Sequence, residues 1–184
     1  MRLEQPRIPP LEPEQWDADV SRIMEPFVAA GSDHNVFRTI ANHPDLMRRW
    51  LVFANHVLFK STLPPREREL VILRIGFLCG AEYEWAQHRI IGLQTGLDEA
   101  AIESTRRGPS TPDLNELDRL LLTATDELHE DAFISEPTWT ALSGHLDTRQ
   151  LMDLVFAVGQ YNLVSMALNT FGVQLDPGLR GWED

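Results

Sequence analysis

Leu63-Pro64-Pro65-Arg66-Glu67-Arg68-Glu69-Leu70, running on to Gly80-Ala81-Glu82-Tyr83-Glu84-Trp85-Ala86-Gln87-His88, decides how this chain is read. Pro64 and Pro65 suit the first turn of a helix, where a missing N–H removes no hydrogen bond. Apolar residues then recur at Leu70, Leu73 and Phe77, and Cys79-Gly80 marks a stop. A second helix restarts near Ala81 and ends at Gly96, a natural residue just past a helix C-terminus. The stretch predicts two helices back to back.

The spacing within them carries chemistry. Residues three, four and seven apart share a helix face, so Ala81, Glu84, Trp85, His88 and Gly92 fall in one arc. Tyr83, Ala86, Ile90 and Leu93 line the other side, which predicts a helix covered nearly all round. Glu84 and His88 would then meet on a sheltered surface. Glu69 precedes Ile72, Leu73 and Gly76 at the same spacings and projects from an apolar stripe, where a glutamate needs a partner. Two glutamates and a histidine at one covered place can move protons. The plainer reading of Glu84 and His88 is a surface helix pair, worth roughly a few tenths of a kcal/mol.

The motif resembles the carboxymuconolactone decarboxylase family, which shares its fold with the alkylhydroperoxidase D proteins. The resemblance lies in Leu63-Pro64-Pro65-Arg66, Arg68-Glu69-Leu70, Ile72-Leu73-Arg74, Glu82 to His88 and Gly96-Leu97, and it extends over about residues 35–172. It implies an all-α, alkylhydroperoxidase D-like helical domain that assembles with copies of itself as a homotrimer or homohexamer. In the peroxidase branch the pattern is a Glu, a Cys-x-x-Cys twelve residues on, and a His four residues after the second Cys. Glu69 and His88 fall on the Glu and the His, but Ala81 and Glu84 stand at the cysteine positions.

The remaining chain fits this picture. Its 184 residues suggest one domain, and 43% apolar content suffices for a core. A formal charge of −12 argues against nucleic acid or an anionic membrane as partner. The N-terminus lacks an apolar signal core, no run of about 18 apolar residues is found, and the chain reads as a soluble cytoplasmic protein. Residues 1–13, with four prolines, predict an extended arm, either wrapped on a neighbouring subunit or mobile. Residues 14–173 form the helical domain, and 174–184 an acidic, loose tail. Helices are expected over 14–29, 36–41, 45–60, 98–105, 113–128 and 151–169, with a short one holding Trp139 and Leu142. The charges from Asp113 to Glu130 read as a solvated acidic face. The last long helix is apolar all round yet carries Gln160, Tyr161, Asn162 and Asn169, for which hydrogen bonds across helices or subunits are the simplest account.

Glu69, Glu84 and His88 are therefore the candidate catalytic residues. Trp85, Tyr83 and His56 are candidate substrate contacts, although a histidine on an apolar helix such as His56 is more often a core or subunit contact. No metal site is expected, because Glu84 and His88 supply only two ligands, and no phosphate-binding loop is present. Cys79 is the one cysteine. A thiol peroxidase with a resolving cysteine needs two, so that alternative is the weaker one. The resemblance implies instead a cofactor-free carboxy-lyase acting on a small carboxylated or lactone metabolite. Such a reaction needs a proton for carbon and stabilisation of a dienolate. Arg74 and Arg89 are the nearest cations for a substrate carboxylate, and both point away from the site. A lyase or isomerase of another substrate, or a non-catalytic binding protein on the same scaffold, completes the alternatives.

Overall fold

The computed structural model describes residues 2–182. Nine α-helices are found among them, and no strand. A 3-10 turn at Pro13–Gln15 leads into α1 (Ala18–Ala29), α2 (Asn35–Ile40) and α3 (Pro44–Phe59). The motif pair follows as α4 (Pro65–Leu78) and α5 (Glu82–Gln94), then α6 (Glu99–Arg107), α7 (Glu116–Asp131), α8 (Glu136–Ser143) and α9 (Thr148–Phe171). The predicted helices are all present, shifted by a few residues at their ends. Asp147 and Gln150 form the capping box that starts α9, and Gly96 adopts a φ of +101° after α5.

Helix α4 is the hub, packed against α5, α6, α7 and α9. Every residue from Arg68 to Gly76 is buried, so its charges must be answered from neighbouring elements. Arg66 forks onto Asp118 with both N···O distances 2.7 Å. Arg74 forks onto Asp126 at 2.6 and 2.8 Å and also donates to Thr105 O. These two bidentate pairs fasten α4 to α7. The acidic residues of α7 are therefore not simply a solvated face: Asp118 is buried, and Glu127 accepts hydrogen bonds from Ser135 and Thr138 at the start of α8.

Two glycines set the motif pair. Gly80, at φ +59°, makes the turn between α4 and α5. In α5, a Cβ on Gly92 would stand 3.1 Å from Leu97 Cδ1 and 3.4 Å from Leu73 Cδ1, which shows how closely α5 lies on α4. That approach brings His88, one turn earlier, within reach of Glu69.

The core runs from Leu70–Ile75 through Leu121, Leu122 and Leu142 to Leu154 and Ala157. A smaller cluster, Val20, Met24, Ala41 and Met47, joins α1, α2 and α3. Helix α9 is long and apolar enough to cross a membrane, an exception to the expectation from residue runs, but half of its most apolar window is buried inside the fold.

Both ends of the chain depart from expectation. The arm lies on its own chain: Arg7 and Ile8 N–H donate to Phe171 O, and Arg2 donates to Cys79 O. The tail is held as far as it is described, since Asp176 accepts from Tyr83 and Gln87, and Trp182 packs edge-on against Phe77 and Trp85. Its acidic composition hid these anchors, which are aromatic and hydrogen-bonding rather than aliphatic. Residues 183–184 lie outside the described residues.

Leu154 is fully buried where α9 meets the core. Leu154→Ala is expected to lower unfolding free energy by about 2–5 kcal/mol, read from urea titration.

Candidate active site

Glu69 is fully buried on α4, and His88 and Glu84 on α5 are 6% and 5% exposed. The three side chains converge. Glu69 Oε2 lies 2.6 Å from His88 Nδ1, and His88 Nε2 lies 3.0 Å from Glu84 Oε1. One imidazole therefore bridges two carboxylates from two helices. Behind them Arg68 Nε and Nη2 donate to Glu69 Oε1 at 3.2 and 3.1 Å. Arg68 is a partner that sequence spacing missed, because adjacent residues do not share a helix face. Its long side chain folds back instead.

Burial by itself opposes a charge on His88, but the Glu69 and Glu84 carboxylates outweigh it and raise the imidazole to about 10. Both ring nitrogens then carry protons near neutral pH, one held by each carboxylate.

A cavity of about 420 Å³ opens over this cluster. Glu84, His88, Gln160 and Tyr161 border it together with apolar walls that include Phe37, Trp50, Leu58, Ile91 and Val164. Glu69 is not on its surface and stands behind His88. The shape and composition match a small-molecule site: mostly apolar walls with a few convergent polar groups.

The other sequence candidates divide. Tyr83 borders the cavity, but its hydroxyl donates to Asp176 Oδ2 at 2.5 Å, and burial together with that carboxylate pushes the phenol far up. Trp85 does not border the cavity. It faces away from the cavity, where its N–H donates to Thr105 Oγ1 and its ring packs against Trp182 and Arg106. One helix position separates it from Glu84, and that rotation of about 100° is enough to turn it away. His56 is also outside, exposed on α3 and 3.9 Å from Asp153. Sequence reading missed His34 and Gln87 on the cavity wall, both beside Asp176 of the tail. Arg74 and Arg89 are engaged with Asp126 and Glu99, and no lysine or arginine borders the cavity among the described residues.

Cys79 lies apart from the cavity. Its thiol donates to Asn162 Oδ1 at 3.1 Å, and burial raises it above the usual thiol range. A raised pKa means less thiolate at neutral pH.

The model of the carboxymuconolactone decarboxylase family matches residues 44–125, which span α3 to α7 and contain Glu69, Glu84 and His88. No curated protein matches the chain. Among solved structures, it is similar to a peroxidase-related protein with an alkylhydroperoxidase AhpD core from Ralstonia eutropha JMP134, at 21% identity and TM-score 0.81 over 94% of this chain and 93% of that one. It is also similar to a peroxidase-related protein from Silicibacter sp. TM1040, at 16% identity and TM-score 0.79 over 97% and 93%. A third is the debrominase Bmp8 in complex with 2,3,4-tribromopyrrole, at 14% identity and TM-score 0.76 over 95% and 94%. At these identities the likeness is one of fold. The family segment in this chain lacks Cys-x-x-Cys, with buried Ala81 and Glu84 in its place.

Because folding raises the His88 pKa, its contribution to stability is complete below the unfolded value near 6.5 and disappears as pH climbs through about 10. Melting temperature should fall across that window, and His88→Gln should flatten the fall. Calorimetry at stepped pH checks this.

Proposed function

We propose that this chain is a cofactor-free acid–base enzyme of the carboxymuconolactone decarboxylase type, acting on a small carboxylated or lactone metabolite. The observation that carries the reading is the His88 ring, held between buried Glu69 and cavity-bordering Glu84. Glu69, fixed by Arg68, sets the ring's orientation and protonation. His88 Nε2 supplies the proton to carbon, and Glu84 at the cavity surface relays a replacement proton back to the ring. The complex of the structural neighbour Bmp8 with 2,3,4-tribromopyrrole supports a small cyclic ligand. No lysine or arginine borders the cavity among the described residues, which weighs against a substrate with several carboxylates. A thiol peroxidase is disfavoured by the position and raised pKa of Cys79.

The resemblance also implies self-association. The exposed apolar side chains Met152, Phe156, Leu163 and Met166 along α9 support it, since a soluble monomer rarely presents such a stripe. Met166→Glu should shift the assembly toward smaller species in analytical ultracentrifugation.

Panels of small lactones and keto acids, assayed for carbon dioxide release and product by NMR, test the reaction. For the substrate found, His88→Gln and Glu84→Gln should each lower kcat by about 10²–10⁴-fold, whereas Cys79→Ser should leave it unchanged. Hydroperoxide reduction that disappears in Cys79→Ser would reverse the assignment.

A further inference from the structure

The side chains of Gln160, Tyr161, Asn162 and Asn169 on α9 fall into two pairs. Asn162 and Asn169 are answered inside the fold, by the Cys79 thiol at 3.1 Å and the Cys79 carbonyl at 2.9 Å. Gln160 and Tyr161 are not. They are 4% and 7% exposed, yet neither side chain makes a hydrogen bond among the described residues. Their polar atoms keep access to the cavity, so water or a ligand held there is what can answer them. Both border the cavity that Glu84 and His88 border. The Tyr161 ring also stands edge-on to His88, with centroids 4.8 Å apart and planes at 81°.

The chemistry of the pair is specific. A phenol and a primary amide can both donate to one oxygen. Burial foremost, and then the carboxylates of Glu84 and Glu69, hold the Tyr161 phenol well above its usual range. It stays neutral and keeps a proton to offer, so an acceptor oxygen suits it better than an ammonium or a hydroxyl donor.

We infer that Tyr161, together with the Gln160 amide, is a catalytic residue that donates hydrogen bonds to a carbonyl oxygen of the substrate. The inference rests on the acid–base reading of Glu84 and His88 and supplies what that reading lacks, a seat for the developing negative charge. As the bond to the leaving carboxylate breaks, carbon dioxide departs and the electron pair spreads onto the conjugated carbonyl oxygen. Tyr161 and Gln160 hold that enolate oxygen. A proton then passes from His88 Nε2 to carbon, the electron pair returns to form the C–H bond, and water reprotonates the imidazole. Tyr161 keeps its own proton throughout. The substrate class narrows to compounds whose reacting carbon is conjugated to a ketone, ester or lactone carbonyl.

The test uses 2(5H)-furanone, a small unsaturated lactone, bound to the full chain. Infrared difference spectra should show its carbonyl stretch at lower wavenumber in the wild-type protein than in buffer. Tyr161→Phe should lose most of that shift and about tenfold in affinity, while His88→Gln keeps the shift. An equal shift in wild type and Tyr161→Phe, or no binding to the wild type, overturns the inference. Should Tyr161→Phe fail to fold, 2,5-dihydrofuran replaces it as control. The wild type should bind this carbonyl-free ring about tenfold more weakly than the lactone, and equal affinity counts against the inference. Turnover that survives in His88→Gln would sink the acid–base reading alone, because the carbonyl shift does not depend on it.

Discussion

The buried contact between Glu69 and His88 is the constraint around which this molecule is built. A carboxylate with no exposed surface is tolerable only if the opposite charge and its hydrogen bonds are in place. Arg68 satisfies one oxygen of Glu69 and His88 the other, and Glu84 in turn satisfies the far side of the ring. The Glu69–His88 contact requires α4 and α5 to lie close together, which Gly92 permits. The Arg66–Asp118 and Arg74–Asp126 pairs hold the hub against α7. Removing one partner from such a set leaves an uncompensated charge in the core, so chemistry and stability are tied to the same atoms.

The same arrangement explains the character of the cavity. Its walls are mostly apolar, with Glu84 and His88 among a few polar groups, so a ligand is positioned by shape and by a few polar contacts. An imidazolium beside two carboxylates in such surroundings is strongly held in its charged form. Sulphur plays no part in this arrangement. The thiol of Cys79 is turned toward Asn162, and Ala81 occupies a buried position where a cysteine would belong in the peroxidase pattern.

Helical periodicity and capping residues were enough to locate all nine described helices, because both act over a few residues. The proline pair before α4, the box at Asp147 and Gln150, and the glycines at 80 and 96 are short-range signals of this kind. Glu84 and His88 were legible as a pair for the same reason, since one helical turn separates them. Glu69 was legible as a charge that needed a partner. What spacing could not supply was the identity of that partner across two helices, nor the fold-back of Arg68.

Trp85 and His56 show the limit most clearly. Trp85 sits beside Glu84 in sequence, but the packing of α6 and of Trp182 claims its face of α5. His56 lies on an apolar helix, but on the side left open to solvent. The tail was misjudged because contacts such as Tyr83 to Asp176 join residues far apart in the chain. Sequence alone determined the helical class, the element order and the pairing of Glu84 with His88, all of which follow from local spacing. Only the tertiary structure decided which side chains share the cavity, because burial and charge pairing depend on how helices are laid against one another.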